Sequence, residues 1–272
     1  MPEGDTVGKL AGYLGPALSG RRLVAGWART TPPADLAGRR VERLFARGKH
    51  LFIDLDREQC LRSHLGMWGS WHAYAPGEPW RKPRRQGAIV LDTGERVFVC
   101  FNPLQVEMLN RGGVRRRVLE AALGPDLMDE PLDAGLILRR AESFAAADTP
   151  VLDLLLDQRV ACGIGNVYKS EVLFLERVHP LTPWRDLAET RLLDLYRLAS
   201  RLLRANSKSG PRVTRPAADG AGRLWVYRRS GQPCLRCGAR VQRAKLGRDL
   251  RSTYWCPGCQ PVPCEPDAGR AD

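Results

Sequence analysis

Two clusters of residues, one near each end of this chain, have types and spacings that could do chemistry. Met1-Pro2-Glu3 opens the sequence. Removal of an initiator methionine ahead of a small residue would leave Pro2 as a terminal secondary amine, titrating near about pH 8 and so partly uncharged at neutral pH. Such an amine attacks an electrophilic carbon to form an iminium, and Glu3 is adjacent for general acid/base work on the adduct. The same residues also suit a plain helix start, with proline in the first turn and Glu3 and Asp5 toward the positive end of the dipole. At the other end, Cys234, Cys237, Cys256 and Cys259 form C-x2-C, a gap of eighteen residues, then C-x2-C. That is the spacing of a closed four-thiolate zinc site, in which the metal folds its segment and takes no part in a reaction. Arg240, Arg243, Lys245, Arg248 and Arg251 lie between the two knuckles, giving the hairpin a basic face suited to nucleic acid. A ribbon for protein contact is the alternative. Cys60, Cys100, Cys162 and Cys264 have no partner spacing and read as core or surface thiols.

The charge supports the nucleic-acid reading. The 272 residues carry 43 Lys and Arg against 30 Asp and Glu, a formal net charge of +13. Most of the cations are arginine, as a GC-rich genome would give, but codon bias would scatter them. Instead, residues 204–251 hold thirteen Lys and Arg against Asp219 and Asp249 alone. A polyanionic partner follows, nucleic acid ahead of a membrane because no long apolar run is present. The first twenty residues include Glu3, Asp5 and Lys9 and lack a cleavable apolar core, so the expected location is cytoplasmic, where eight cysteines read as metal ligands or spare thiols. No oligomerisation seam is visible, so a monomer is expected.

The elements that must position these groups can be read from periodicity. Val7, Leu10, Leu14 and Leu18 predict an amphipathic helix over about 3–18, anchoring the reactive end to a core. From Arg21 to Val99 short apolar runs alternate with Gly, Pro and Asp, predicting strands at 23–24, 41–45, 50–55, 88–91 and 97–101 in a β-sandwich or flattened barrel. Within it, Arg47-Gly48-Lys49-His50 sets cations at a tight turn. Ser63 to Trp71 is a glycine-punctuated loop carrying Met67 and Trp68, either packing residues or wedges for a gap in a base stack. Gly112-Gly113 marks a boundary, after which helices are predicted at 119–123, 131–144, 150–158 and 187–203. Residues 154–176 read as two helices joined at Gly163-Ile164-Gly165, with Asn166 capping the second so that its free N–H groups and Lys169 face a phosphate; ordinary helix packing is the alternative. Residues 207–222 read as a loop and 223–227 as a strand. The domain organisation is therefore 1–113, 114–222, a zinc hairpin at 223–260 and a disordered tail at 261–272, an α+β fold overall.

These pieces, in this order, resemble the Fpg/Nei family of bifunctional DNA glycosylases over about residues 2–260. The resemblance rests on PEGDT at the N-terminus, RGKH at 47–50, SHLGMWGSW at 63–71, LLLDQ…GIGNVYKSE at 154–171 and RSTYWCPGCQ at 251–260. It implies that Pro2 attacks C1′ of a damaged nucleotide, with Glu3 protonating the sugar ring oxygen and β,δ-elimination following. It implies that Lys49 contacts the phosphate beside the lesion and that Asn166 and Arg251 grip the kinked backbone. His64 and Lys169 become further phosphate contacts, and Met67 and Trp68 wedges in the stack. Damaged DNA is then the partner and one zinc ion the only cofactor. The opening PEG is similar to the endonuclease VIII (Nei) branch, implying oxidised pyrimidines as substrates, although LGM in the wedge loop is more like Fpg. Where Fpg members carry a loop resembling DPRRFG, this chain has Asn102-Pro103-Leu104-Gln105-Val106-Glu107, so the arginine and phenylalanine that would pair with and stack on the opposite strand are missing. A non-catalytic binder of kinked or damaged DNA is the rival reading, and intact Pro2, Glu3 and Lys49 argue against it.

Overall fold

The computed structural model describes residues 2–262, so Met1, Cys264 and all but the first two residues of the expected disordered tail lie outside the described residues. Helix α1 (Gly4–Leu18) follows its apolar stripe, burying Val7, Leu14 and Leu18 on one side. Nine strands come next: β1 (Ala25–Ala28), β2 (Ala34–Asp35), β3 (Val41–Arg47), β4 (His50–Leu55), β5 (Gln59–His64), β6 (Ser70–Tyr74), β7 (Gly87–Asp92), β8 (Val97–Phe101) and β9 (Gln105–Asn110). They pair antiparallel as two sheets, ordered β2-β1-β7-β8-β6 and β3-β4-β5-β9. Alternation decides what each face buries. Leu51, Ile53 and Leu55 point inward to meet Ile89, Leu91, Phe98 and the α1 stripe in one core. Each such side chain contributes roughly 1.5–3 kcal/mol by leaving water. The expected β-sandwich is present, with its first strand starting at Ala25 rather than Leu23. The 63–71 stretch, read as one loop, is shorter than expected. Only 65–69 connects β5 to β6.

Helix α2 (Val114–Ala122) turns back onto the sandwich, where Arg116 donates to the buried Asp54 carboxylate at 3.0 Å and Leu119 packs beside Phe52. The helical core begins further on. It comprises α3 (Ala134–Phe144), α4 (Val151–Leu156), α5 (Asn166–Leu175) and α6 (Glu189–Ala205), closing around Leu155, Ile164, Tyr168, Leu173, Tyr196 and Leu203. A last hairpin, β10 (Gln242–Leu246) and β11 (Arg251–Trp255), packs on Phe174 and Val226.

The strand expected at 223–227 is not formed. The N–H groups of Trp225, Val226 and Tyr227 donate instead to the buried Glu171 carboxylate, at 2.8, 2.9 and 2.8 Å. Three successive amides turned to one acceptor cannot also alternate along a ladder. No helix among the described residues is long and apolar enough to cross a membrane.

Candidate active site and nucleic-acid interface

A helix begins with backbone N–H groups that have no partner inside it, together with the positive end of its dipole. At the start of α5 these groups are filled from the other side of the molecule. Gly165, Val167 and Tyr168 donate their N–H groups to the Glu3 carboxylate, at 2.7, 2.8 and 3.2 Å. Glu3 is completely buried, and Gly4 N–H donates to Gly163 C=O at 2.9 Å, so the start of α1 is stitched to the turn ahead of α5. A Cβ on Gly165 would stand 2.5 Å from Glu3 Cδ; only glycine lets the carboxylate in. This corrects the expectation that Asn166 caps α5 and leaves its amides open to phosphate. Asn166 is the first helical residue, with its Nδ2 donating to Ser252 C=O at 2.6 Å. The turn before it is fixed by Gln158, which donates to the Leu156 and Ile164 carbonyls and accepts from Gly163 N–H.

Lys49 arrives on the turn between β3 and β4. Gly48 has φ of 56°, donates its N–H to Asp126 Oδ2 at 2.6 Å, and would place a Cβ 2.9 Å from Cys162 Sγ. A side chain there would push the two halves apart, so glycine is required twice over. The Lys49 ammonium is brought down to about 8, chiefly by burial and further by Arg251, with Glu3 and Cys162 opposing. Pro2, Glu3, Lys49 and Arg251 thus converge from three segments of the chain.

Lys169 lies elsewhere than expected. It is fully buried, and its Nζ donates to Asn166 Oδ1 at 2.7 Å and Thr253 Oγ1 at 2.8 Å, tying α5 to β11. Burial brings its ammonium down to about 7. It orients Asn166 from within instead of presenting a cation on the surface. His64 accepts Gly66 N–H at Nδ1, and burial, then Lys49 and Arg62, bring its imidazole down to about 4. With Nδ1 accepting, the neutral ring carries its proton on Nε2.

Pro2, Lys49, His64, Met67, Trp68, Gln158 and Arg251 line one cleft of about 590 Å³. One of its walls is apolar and strongly exposed: Met67 is 63% accessible, Trp68 76% and Leu104 68%. A second cleft of about 690 Å³, reached by Arg29, Gln86 and Asn102, shares that wall. The three side chains form a ridge between two clefts. Sequence reasoning named Met67 and Trp68 but marked Leu104 only as the place of a missing arginine.

It also missed Arg212, which nothing in its spacing marks. Arg212 Nε donates to Asp5 Oδ2 at 2.8 Å, its Nη1 lies 3.6 Å from Glu3 Oε1, and its guanidinium covers the Tyr168 ring at 4.8 Å. Asp5 thereby holds a cation beside the Glu3 carboxylate.

In the hairpin, the four sulfurs of Cys234, Cys237, Cys256 and Cys259 all lie within 4.8 Å of one another, with 3.9 Å between Cys234 and Cys259 and 3.4 Å between Cys237 and Cys256. Four thiolates at about 2.3 Å from a tetrahedral zinc stand about 3.8 Å apart. The residues fit a zinc ion.

Comparison with known proteins gives the following. Residues 1–103 match the model of the formamidopyrimidine-DNA glycosylase N-terminal domain, 123–215 that of the formamidopyrimidine-DNA glycosylase H2TH domain, and 231–262 that of the zinc finger found in FPG and IleRS. The chain is 40% identical to "Probable endonuclease 8 2" of Streptomyces coelicolor, covering 99% of this chain and 98% of that one. It is 37% identical to the DNA-(apurinic or apyrimidinic site) lyase Nei2 of Mycolicibacterium smegmatis, over 96% and 99%. Among solved structures, the Lactococcus lactis formamidopyrimidine-DNA glycosylase bound non-covalently to DNA containing an AP site shares the fold, with a TM-score of 0.79, 23% identity, and coverage of 96% and 100%.

Proposed function

The chain belongs to the Fpg/Nei family, on its Nei-like branch, as a DNA glycosylase and AP lyase of base excision repair, and from that premise we propose that it excises oxidised pyrimidines through a Schiff base on Pro2. The observation that carries this reading is the delivery of Pro2 and Lys49 to one cleft, with Glu3 locked beneath them by three amides of the other half of the molecule. A protein that only bound DNA could use the buried carboxylate as a helix cap, but would gain nothing from a terminal amine and Lys49 brought to the same cleft.

In this mechanism the Pro2 nitrogen bonds to C1′ as the bond from C1′ to the base breaks. Glu3 moves the proton that opens the sugar ring, and the resulting iminium makes the C2′ proton acidic enough for elimination. Loss of the 3′ and then the 5′ phosphate follows, and water releases the sugar fragment from Pro2. Lys49 and Arg251 hold the phosphates while Met67, Trp68 and Leu104 fill the gap left by the everted nucleotide. Asn166 donates to the backbone from the place where Lys169 sets it, and His64 donates through Nε2–H. With Leu104 where an arginine would read the partner base, the preference for oxidised pyrimidines carries no requirement for an opposite cytosine. One zinc ion on Cys234, Cys237, Cys256 and Cys259 holds the hairpin that carries Arg251. The enzyme works as a monomer on cytoplasmic, nucleoid DNA.

Borohydride trapping on a duplex with one abasic site tests the reading. We expect a covalent adduct from protein whose mass shows Met1 removed, and loss of most of it in Pro2→Gly. Tight, salt-sensitive binding with no adduct would leave a DNA-binding protein without catalysis.

A further inference from the structure

The outer face of the five-stranded sheet carries a site that the reaction above does not use. A cleft of about 750 Å³ opens there beside Trp27 and Trp80. Trp80 stands edge-on to Phe101, with centroids 5.6 Å apart, and stacks toward Tyr74, so its ring is fixed. Gly87 lies under both indoles: a Cβ there would meet Trp80 at 3.1 Å and Trp27 at 3.7 Å. Trp27 keeps 38% of its surface in solvent, leaving one side of the indole open to the cleft.

Around this aromatic pair cations outnumber acids. Arg81, Lys82, Arg84 and Arg85 follow Trp80 almost without interruption, and Arg29 lies beside them, donating to the Arg85 and Gly87 carbonyls. Among the described residues none of these five cations forms a salt bridge, although ion pairs are frequent elsewhere on the surface. The two carboxylates that line the cleft, Glu78 and Asp92, are each engaged by a backbone N–H, of Ala75 and of Gly94. Five cations set against two carboxylates leave a net positive field, which a polyanion would offset. Arg29 and Gln86 also line the cleft walled by Met67, Trp68 and Leu104, so the basic track is continuous with the ridge.

We propose that this cleft is a second nucleic-acid subsite, taking an unpaired stretch of strand that flanks the lesion. A base stacks on the exposed face of Trp27, and the phosphates on either side of it lie along Arg81, Lys82, Arg84 and Arg85. A duplex keeps its bases inside and offers phosphates alone; the indoles favour single strands. The inference rests on the proposed function only in running the DNA along the ridge. It gives the enzyme a preference for lesions near forks, gaps or bubbles.

The test compares abasic-site duplexes of one length, either blunt or extended by an oligothymidylate arm at each of the four strand ends in turn. The intact zinc-loaded protein, Trp27→Ala and the double variant Arg84→Glu, Arg85→Glu are measured by fluorescence anisotropy at fixed salt and by borohydride trapping. At least one arm should tighten binding by the native protein by about tenfold, as stacking of one base supplies. Both variants should lose that gain while keeping their affinity for the blunt duplex, their rate of trapping and their melting temperature. The double variant changes only exposed side chains and so tests the site even if Trp27→Ala fails to fold. No gain from any arm, or a gain that survives in the double variant, overturns the proposal. So does an equal loss on blunt and armed DNA, which would mark an ordinary duplex contact, or polyglutamate competing as well as free oligothymidylate. If arms tighten binding but no substrate is trapped, the subsite stands and the catalytic reading falls.

Discussion

The sealed wall behind Pro2 and the exposed wall of the cleft are built in opposite ways. Glu3 is sealed from water and held by three amides from another part of the chain, whereas Met67, Trp68 and Leu104 stand more than three-fifths exposed. Groups that move protons need one fixed geometry, which burial and hydrogen bonds supply at the risk of large penalties when a partner is lost. Groups that enter a base stack need to be free until DNA arrives. Changes on the sealed wall should therefore damage fold and chemistry together, and changes on the exposed wall should damage DNA recognition alone.

The sharpest separation comes from Glu3. Glu3→Ala leaves three buried N–H groups unanswered, at roughly 1–3 kcal/mol each, and under the proposed mechanism also removes the group that moves protons, for an expected loss of about 10²–10⁴-fold. Glu3→Gln keeps the shape and one acceptor oxygen, so calorimetry should show it recovering most of the melting temperature while single-turnover excision stays low. Full excision by Glu3→Gln would break the comparison by making the carboxylate a structural plug.

Lys49 comes next. Its ammonium loses its proton as pH rises through about 8, where an ordinary lysine would still be charged, so the proposed phosphate contact should weaken across that value. Binding to an abasic-site duplex should fall between pH 7 and 9 in the native protein. It should fall less in Lys49→Met, whose salt dependence should be shallower by about 0.9 in log–log slope. An identical pH profile in the two proteins would remove Lys49 from the contact.

On the exposed wall, Trp68→Ala should weaken binding to the same duplex by about tenfold, as loss of a stacked aromatic does, and Leu104→Ala should weaken it less, by loss of an apolar wedge. Their unfolding free energies should stay within about 0.5 kcal/mol of the native value. Destabilisation as large as that of Glu3→Ala would mean that the ridge is core after all.

A pH-linked effect on stability belongs to Lys169. Its pKa in the folded chain, about 7, lies below the ordinary lysine value, so the unfolded chain holds the proton between roughly pH 7 and 10.5 and the folded one does not. Stability should rise with pH across that window, with the full penalty of the buried charge present below it. Lys169→Met should flatten that rise in thermal melts. A parallel profile in native and variant proteins would show the ammonium to be as well satisfied as in water.

Much of this arrangement was legible in the residues because it is local. The apolar stripe of α1, the alternation in β4 and the cysteine spacing each follow from one short segment and a fixed period. They determined the order of elements and the zinc site, and the family resemblance assigned Pro2, Glu3, Lys49 and Arg251 their parts. What spacing could not reveal is which distant partner answers each polar group. The amides of α5 could have faced a phosphate, a water molecule or Asn166, and the fold brought Glu3 from 162 residues away. The amides of 225–227 could have joined a sheet, and Glu171 drew them together instead. Lys169 reads as a surface cation in any helix, and only the docking of β11 on α5 put it inside. Arg212 gained its place beside Glu3 only because Asp5 turned inward. Periodicity is written in the chain itself, whereas the pairing of buried donors and acceptors is settled only when separate segments close on one another and exclude water.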